Sequence, residues 1–525
     1  MIVWALLTSV GINLGLCLLF FTLYSVLRKQ PSNLEVYAPR LVAAKEGSEQ
    51  KNGFNFERLL PTAGWVKRAW QPSEDELLSV SSLDAVVFIR IFIFSLRVFG
   101  FAGIVGVLIL LPINYLGNQL DVDFDFSDLP NKSLDSFSIS NVNDGSKWLW
   151  VHFCAVYIFS GVVCYLLHYE YGYISSKRYA HYYSSKPQPH QFTILVRGIP
   201  VSSGSSCSET VERFFTEYYP STYLSHAVVR RTNELQRLTS DAEKLYRRLV
   251  HLKSETKPQQ RSRRDGFCGL FGRKVDVLDQ YGKKLENLED NVRMEQLSVA
   301  GKASFFIAYV VTSGWTSLLS SELFRLLPLI SSIIKRPFSG KDDDEFEVPS
   351  IPYHSDIPKV LFFGLLGITY FFLAPLILPF LLVYCCLGYI IYRNQLLNVY
   401  APKYETGGRF WPTVHNSTIF SLVLMHVIAI GIFGLKKLSL ASSLTVPLPI
   451  LTLLFNEYCR KRFLPIFKDY PVECLIKKDR EDQNDPTIAV FYDKLRTAYK
   501  DPALMPKRHP RSTDDHNSPL LQAGV

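Results

Sequence analysis

Residues Val360 to Tyr392 read VLFFGLLGITYFFLAPLILPFLLVYCCLGYIIY, thirty-three positions without a charge. An apolar run of roughly 18 residues is already long enough to cross a bilayer. At 1.5 Å per residue this one would extend about 49 Å as a single helix, far beyond a hydrocarbon core of about 30 Å. It therefore reads as two helices that turn near Pro375 to Pro379, where proline removes amide donors from the helical ladder. The same reading applied outward finds spans in Ile2 to Leu27, Val86 to Leu116, Trp148 to Leu167, Ala303 to Ile334, Thr418 to Leu435 and Leu438 to Tyr458. That makes eight spans, and it excludes a single soluble core.

Composition agrees. Of 525 residues 48% are hydrophobic and only 20% charged, with mean hydropathy +0.09, which is poor in charge for a soluble domain. The net charge of +9 alone fits nucleic acid, acidic lipid or retained cytosolic loops. The nine cysteines include Cys17, Cys154, Cys164, Cys385 and Cys386 inside apolar stretches, where they act as small hydrophobes. Their spacing suggests neither a disulfide framework nor a zinc site.

Lys and Arg near segment ends set orientation. Arg28 and Lys29 follow the first run, a retained anchor, and place residues 28–84 in the cytosol. Arg90 and Arg97 enter the second run from the cytosolic side, where their stems can snorkel. Leu120 to Lys147 is acidic and carries the sequon Asn131-Lys132-Ser133, so it faces outward and Asn131 is a candidate glycosylation site. The third run returns the chain to the cytosol before Lys177 and Arg178.

From Tyr169 to Lys302 no spanning run occurs, and basic residues are frequent. Phe192 to Val196 reads as a buried strand, Glu209 to Tyr219 as a helix, and Ser225 to Arg230 as a second strand. Two charge-rich helical stretches follow, about Asn233 to Leu252 and Val275 to Leu297. This order suggests half of a ferredoxin-like sandwich of the kind used in RNA-recognition modules. The expected fold class is thus an all-α polytopic membrane protein with a small, incomplete α+β cytosolic domain. Its parts are an N-terminal membrane region (1–170), the cytosolic domain (171–302), a C-terminal membrane region (303–460) and a cytosolic tail (461–525), disordered from about Pro502.

Beyond Lys302 the charges conflict. If Ala303 enters the membrane from the cytosol, the clusters at Lys335-Arg336, Arg393, Lys403, Arg409 and Arg460 to Arg462 are all translocated. If Ala303 starts outside, all of them stay in the cytosol and only short outer turns carry charge, as the positive-inside rule prefers. An odd number of spans is then missing at the junction of residues 302 and 303.

Tyr392-Arg393-Asn394-Gln395-Leu396-Leu397-Asn398-Val399-Tyr400, followed by Tyr404-Glu405 and Phe410-Trp411-Pro412, resembles the OSCA family of plant hyperosmolality-gated, calcium-permeable channels, in its early-responsive-to-dehydration branch. Phe192 to Pro200, Gly266 to Asp276 and Ala303 to Trp315 carry the same resemblance, which covers most of residues 1 to 475. It implies a homodimeric, osmotically or mechanically gated cation channel of the plasma membrane, with eleven spans per subunit and an anoctamin-like architecture. Calcium would be among the permeating cations and membrane lipids among the partners. The resemblance also implies a cytosolic domain between the third and fourth spans and a pore built by the fourth to eighth. This chain departs from that pattern: three spans and the end of the cytosolic domain are absent between Lys302 and Ala303, through a skipped exon or a faulty gene assembly. Lipid scrambling, from the anoctamin-like architecture, and a nonconducting regulatory subunit are the alternatives to a channel.

Glu322 is the single acidic residue of Ala303 to Ile334. A carboxylate in a spanning segment marks an ion path by default, and the plain alternative is a local pair with Arg325, one turn on. Gly314 is a hinge candidate, with close packing as its commoner role. The scattered histidines give no partnered nucleophile or metal spacing, so neither an enzyme nor a cofactor is expected. The run Arg261 to Arg264 suits anionic lipid better than nucleic acid, and Cys268 beside it is open to palmitoylation.

Overall fold

The computed structural model describes residues 3–44, 60–119, 134–184, 192–199, 206–227, 303–335, 348–403, 405–470 and 472–496. They fall into two units, one of Met1–Ser184 with Gly282–Pro471 and one of Ser185–Tyr281 with Val472–Val525.

The first unit is a helical bundle. We label its main helices α1 (Val3–Leu27), α2 (Glu74–Val80), α3 (Leu83–Tyr115), α4 (Leu149–Ser184), α5 (303–323), α6 (Tyr353–Tyr370), α7 (Ile377–Asn398), α8 (Trp411–Leu435) and α9 (Pro447–Lys468). Among the described residues six helices are long and apolar enough to cross a membrane. They correspond to α1, α3, α4, α7, α8 and α9, and α5 and α6 pack against them. Val360 to Tyr392 divides as its length requires, with α6 ending at Tyr370 and α7 starting at Ile377. Pro379 falls in the first turn of α7, where a missing amide breaks no intrahelical bond.

Three expectations for this unit need correction. Ala303 to Ile334 is not one helix: α5 winds through two π-helical segments and stops, Arg325 adopts φ 50, and a separate helix Leu326–Lys335 begins. Pro328 cannot donate to the Phe324 carbonyl four residues back, and that carbonyl instead accepts from the Tyr37 hydroxyl at 2.9 Å. The third run does not stop at Leu167 either, because α4 continues to Ser184 and buries Glu170 and Arg178 on the way. Arg90 is likewise buried and ion-paired rather than snorkelling.

Close helix contact rests on small residues. A Cβ at Gly388 of α7 would lie 2.2 Å from the Phe92 ring of α3, and one at Gly367 of α6 would lie 2.2 Å from Phe99. Those rings join Phe88 and Tyr392 in the core.

At one end of the bundle the segment 134–148 caps the helices. The Ile139 amide donates to the Leu373 carbonyl at 2.9 Å, and Lys436 Nζ donates to the Ser140 and Val142 carbonyls at 2.9 and 2.8 Å. Asp144, 3.4 Å away, balances the Lys436 charge. We label this the outer end of the bundle and the opposite one the inner end, after the orientation expected from the charge pattern. At the opposite end Tyr37 meets Phe324, Arg40 donates to the Leu396 carbonyl at 2.6 Å, and the Leu83 amide donates to Glu405 at 2.8 Å.

These contacts fix the direction of each pass. In α5, Phe306 lies against Tyr370 (5.2 Å between ring centroids), next to the outer turn. The Trp315 indole donates to the Phe380 carbonyl at 2.9 Å, and Glu322 reaches Gln395 at the inner end. Thus α5 runs from outer to inner, and α4 also ends at the inner end, where Arg178 donates to the Ile466 carbonyl at 3.0 Å. Ser184 and Ala303 lie at opposite ends of the bundle.

In the second unit the helix Cys207–Tyr218 starts with a Ser206–Glu209 capping box, and the helices Val472–Gln483 and Ile488–Leu495 follow. Phe192 packs against Phe491 in a tilted geometry and edge-on to Tyr492, with ring centroids 5.2 and 6.0 Å away. The expected α+β sandwich is overturned: no strand occurs among the described residues. Residues 193–197 belong to no helix or strand, and Ile194 and Leu195 are exposed. A segment becomes a strand only when a neighbouring segment takes its amides and carbonyls in a ladder, and no such ladder occurs among the described residues. Of the second expected strand, Ser225 to Ala227 form none, and the remainder lies outside the described residues, as do both charge-rich stretches, Arg261 to Arg264 and Cys268.

Candidate functional site

Glu322 sits at the end of α5 in the π-helical segment Leu319–Leu323 and is partly buried. Its Oε2 accepts from the Tyr400 hydroxyl at 2.7 Å, and its carbonyl accepts from the Gln395 side-chain amide. Two residues of the 392–412 motif therefore converge on the residue singled out as the ion-path candidate, Tyr400 on its carboxylate and Gln395 on its backbone carbonyl. Arg325 does not: its guanidinium donates to the Val36 carbonyl and lies 5.9 Å from the Tyr400 ring centroid. Glu322 and Arg325 form no ion pair among the described residues, because the one-turn spacing presumes a continuous helix and the helix has ended. Gly314 is buried in the π-helical segment Val310–Thr316, where an added Cβ would meet Tyr384 at 3.1 Å and Phe363 at 3.4 Å. That contact accounts for the glycine through packing.

The rest of the motif clamps the inner end. Tyr392 is wedged against Phe88 and Phe92. Buried Arg393 donates to the Ala69 carbonyl at 2.9 Å, the Pro72 carbonyl and the Tyr389 hydroxyl. Asn398 donates to the Asn394 carbonyl at 2.8 Å, and Asn394 itself donates to the Tyr24 hydroxyl at 2.7 Å. Trp411 is fully buried at the start of α8, and Pro412 follows where no helical amide is needed. Burial works to raise the Glu405 carboxyl, but His181, 3.1 Å away, and the Leu83 amide outweigh it and hold it below its ordinary value. Tyr404 and Asn131 lie outside the described residues.

Other members of the inner junction escape a reading by sequence. Asp84, 1% exposed, accepts from the Thr406 amide and hydroxyl and the Gly408 amide. Arg178 donates to the Gly407 carbonyl and stacks 4.7 Å from the Tyr470 centroid. Glu170 accepts from both Arg90 (2.9 Å) and Arg97 (2.7 Å), while Arg90 also reaches Glu74. The available signal was charge inside helical sequence: an ionised group there is tolerated when another element neutralises it.

Three family models match the chain. One described as "Late exocytosis, associated with Golgi transport" covers residues 5–170, a cytosolic-domain model of 10TM proteins covers 191–314, and "Calcium-dependent channel, 7TM region" covers 274–433. The hyperosmolality-gated Ca2+ permeable channel 2.3 of Arabidopsis thaliana is 47% identical over 696 residues, spanning 96% of this chain and 98% of the relative. The chain belongs to the OSCA family. Channel 2.1 of the same plant is 32% identical, spanning 94% of this chain and 92% of its own length, and channel 2.5 is 26% identical over 98% and 99%.

The 696 aligned positions exceed the 525 residues present, so this OSCA relative has internal segments without a counterpart here. In the region of the seven-span model, the described residues hold the helices α5 to α8, of which α7 and α8 are long and apolar enough to cross a membrane.

Proposed function

We propose that this locus serves as an OSCA-type, osmotically or mechanically gated, calcium-permeable non-selective cation channel of the plasma membrane, built as a homodimer. We further propose that the 525-residue form is impaired, lacking three spans at the junction of residues 302 and 303. The observation that carries this is the opposed placement of Ser184 and Ala303. A connection with no run long enough to span cannot join opposite faces of a bilayer without drawing polar backbone and charge across it. An odd number of restored spans removes the conflict.

In the complete channel Glu322 attracts cations at the inner end of α5, and Gly314 is the candidate hinge beside it. In the short form the polar face with Thr312, Ser320, Ser321 and Glu322 lacks the facing helices that would enclose a path. Purified 525-residue protein in liposomes is expected to pass no stretch- or hyperosmolality-activated current, whereas a version with the missing spans restored conducts. Robust single-channel current from the short form overturns the second half of the proposal, and silence of the restored form overturns the first.

A further inference from the structure

The inner end of α1 meets the helix Gly64–Trp70 through aromatic contacts. The Trp65 ring, 1% exposed, lies 5.0 Å from Phe21 and 5.1 Å from Tyr24, and the Tyr24 hydroxyl accepts from Asn394 of α7 at 2.7 Å. Lys29 Nζ donates to the Leu60 carbonyl at 2.7 Å, and Arg393 donates to the Ala69 carbonyl at 2.9 Å. The segment 60–70 is thus tied to the inner ends of both α1 and α7. Trp70, 61% exposed, lies edge-on to Tyr389 at 5.4 Å, and an exposed indole at the end of a span marks headgroup depth.

Two arginines flank the Tyr24–Trp65 contact. Arg28 follows Tyr24 by one turn, and its guanidinium lies 5.8 Å from the Tyr24 ring centroid. Arg68 follows Trp65 by three residues, which puts both on one flank of their helix, whereas Lys67, two residues on, belongs to the other flank. Lys67 and Arg68 are exposed. Neither they nor Arg28 form an ion pair with a described residue, and the buried Arg28 Nε meets no acceptor there. Arg90, Arg178 and Arg393, by contrast, each donate from Nε to a protein oxygen. Burial holds the Arg28 guanidinium below its ordinary value; Tyr24 opposes this, and the positive charge of Arg68 adds to it. A buried donor without an acceptor and a half-buried cation without an acid are both costly. One anion between the two arginines answers both.

We propose that Arg28 and Arg68 bind the phosphate of an anionic phospholipid at the inner end of α1. The planar guanidinium matches phosphate oxygens with paired donors. The position at the end of a span selects a lipid, since lipid phosphates lie at this depth and anionic lipids enrich the cytosolic leaflet. Leu18, Leu19 and Leu23, exposed farther along α1, offer its acyl chains an apolar surface.

The test is native mass spectrometry of the purified 525-residue protein in detergent, titrated with phosphatidic acid, with phosphatidylcholine and with inorganic phosphate. Phosphatidic acid is expected to bind about ten-fold tighter than phosphatidylcholine or more, and Arg28→Gln and Arg68→Gln should each weaken it by about the same factor, as the loss of a charge-assisted hydrogen bond does. Lys67→Gln, which removes an equal charge from the other flank, should leave binding within about two-fold. Since Arg68 is exposed, its variant decides the matter where Arg28→Gln damages folding. Equal losses in Lys67→Gln and Arg68→Gln, or phosphatidylcholine that binds as tightly as phosphatidic acid, overturn the proposal. Inorganic phosphate that displaces the lipid at equal concentration makes this a site for soluble anions and overturns it as well.

Discussion

Replacing Glu170 by glutamine tests how this bundle tolerates charge. Glu170 is fully buried on α4 and is shared by Arg90, with 6% of its side chain exposed, and Arg97, with 40% exposed. Breaking a buried ion pair by neutralising one partner costs about 3–5 kcal/mol, because the other charge stays buried. Arg90 keeps Glu74 at 3.1 Å, which holds the expected loss for Glu170→Gln to about 3 kcal/mol, the lower end of that range. Arg97 is solvated on its open side, so Arg97→Gln removes an exposed type of pair and costs no more than about 1 kcal/mol. Thermal unfolding of purified protein in detergent, followed by size-exclusion fluorescence, should rank Glu170→Gln well below Arg97→Gln. Adding Arg90→Met to Glu170→Met should recover part of the loss, since fewer buried charges remain unpaired. Equal melting temperatures for Glu170→Gln and Arg97→Gln would refute the reasoning and mean that Glu170 is hydrated in the folded protein.

Gly388→Ala pushes a methyl to 2.2 Å from the Phe92 ring, which is fully buried and cannot swing aside; a loss of about 1–3 kcal/mol is expected. Gly431→Ala, with open space around it, should be neutral or stabilising through helix propensity, and the two melting curves check the contrast. Because Glu405 is held below its ordinary value of 4.5, it stabilises the inner junction above that pH, and the contribution is lost as pH falls through the lower folded value. Glu405→Gln should accordingly flatten the acid limb of a stability-versus-pH series; an unchanged limb counts against the His181 and Leu83 contacts. A cysteine at exposed Lys147 should react with impermeant thiol reagent from outside intact cells, and reaction only after permeabilisation would reverse the orientation. The buried Ser138 is a poor position for that label.

The resemblance of the 392–412 motif to the OSCA family was legible in the chain and agrees with the relatives it matches. Its residues could not tell their own partners, since Arg393 is bound to backbone more than three hundred positions earlier. Glu322 stood out as a lone acid in an apolar run, but its alternative partner was assigned by helical periodicity, which Pro328 and the break at Arg325 cancel. Asp356 gave no comparable signal, because a carboxylate one turn before a lysine reads as an ordinary helix-surface pair. That its second carboxylate oxygen is buried and has no hydrogen-bond partner among the described residues is visible only in three dimensions. The segment 193–197, read as a strand but assigned to none, reflects the same limit: alternation and β-branching give a strand its preference, while a ladder depends on a neighbour that the sequence pattern does not supply.

The sequence by itself determined the membrane class, the runs of apolar residues, the division of Val360 to Tyr392 and the parity conflict at residue 303, because length against bilayer thickness and charge against the cytosolic face act locally along the chain. Only the tertiary structure decided which end of the bundle each helix reaches, which buried charges neutralise one another and which glycines admit an aromatic ring. Those outcomes depend on contacts between residues tens to hundreds of positions apart, where burial in a low-dielectric interior makes the presence or absence of a single partner worth several kcal/mol, as in a broken buried ion pair.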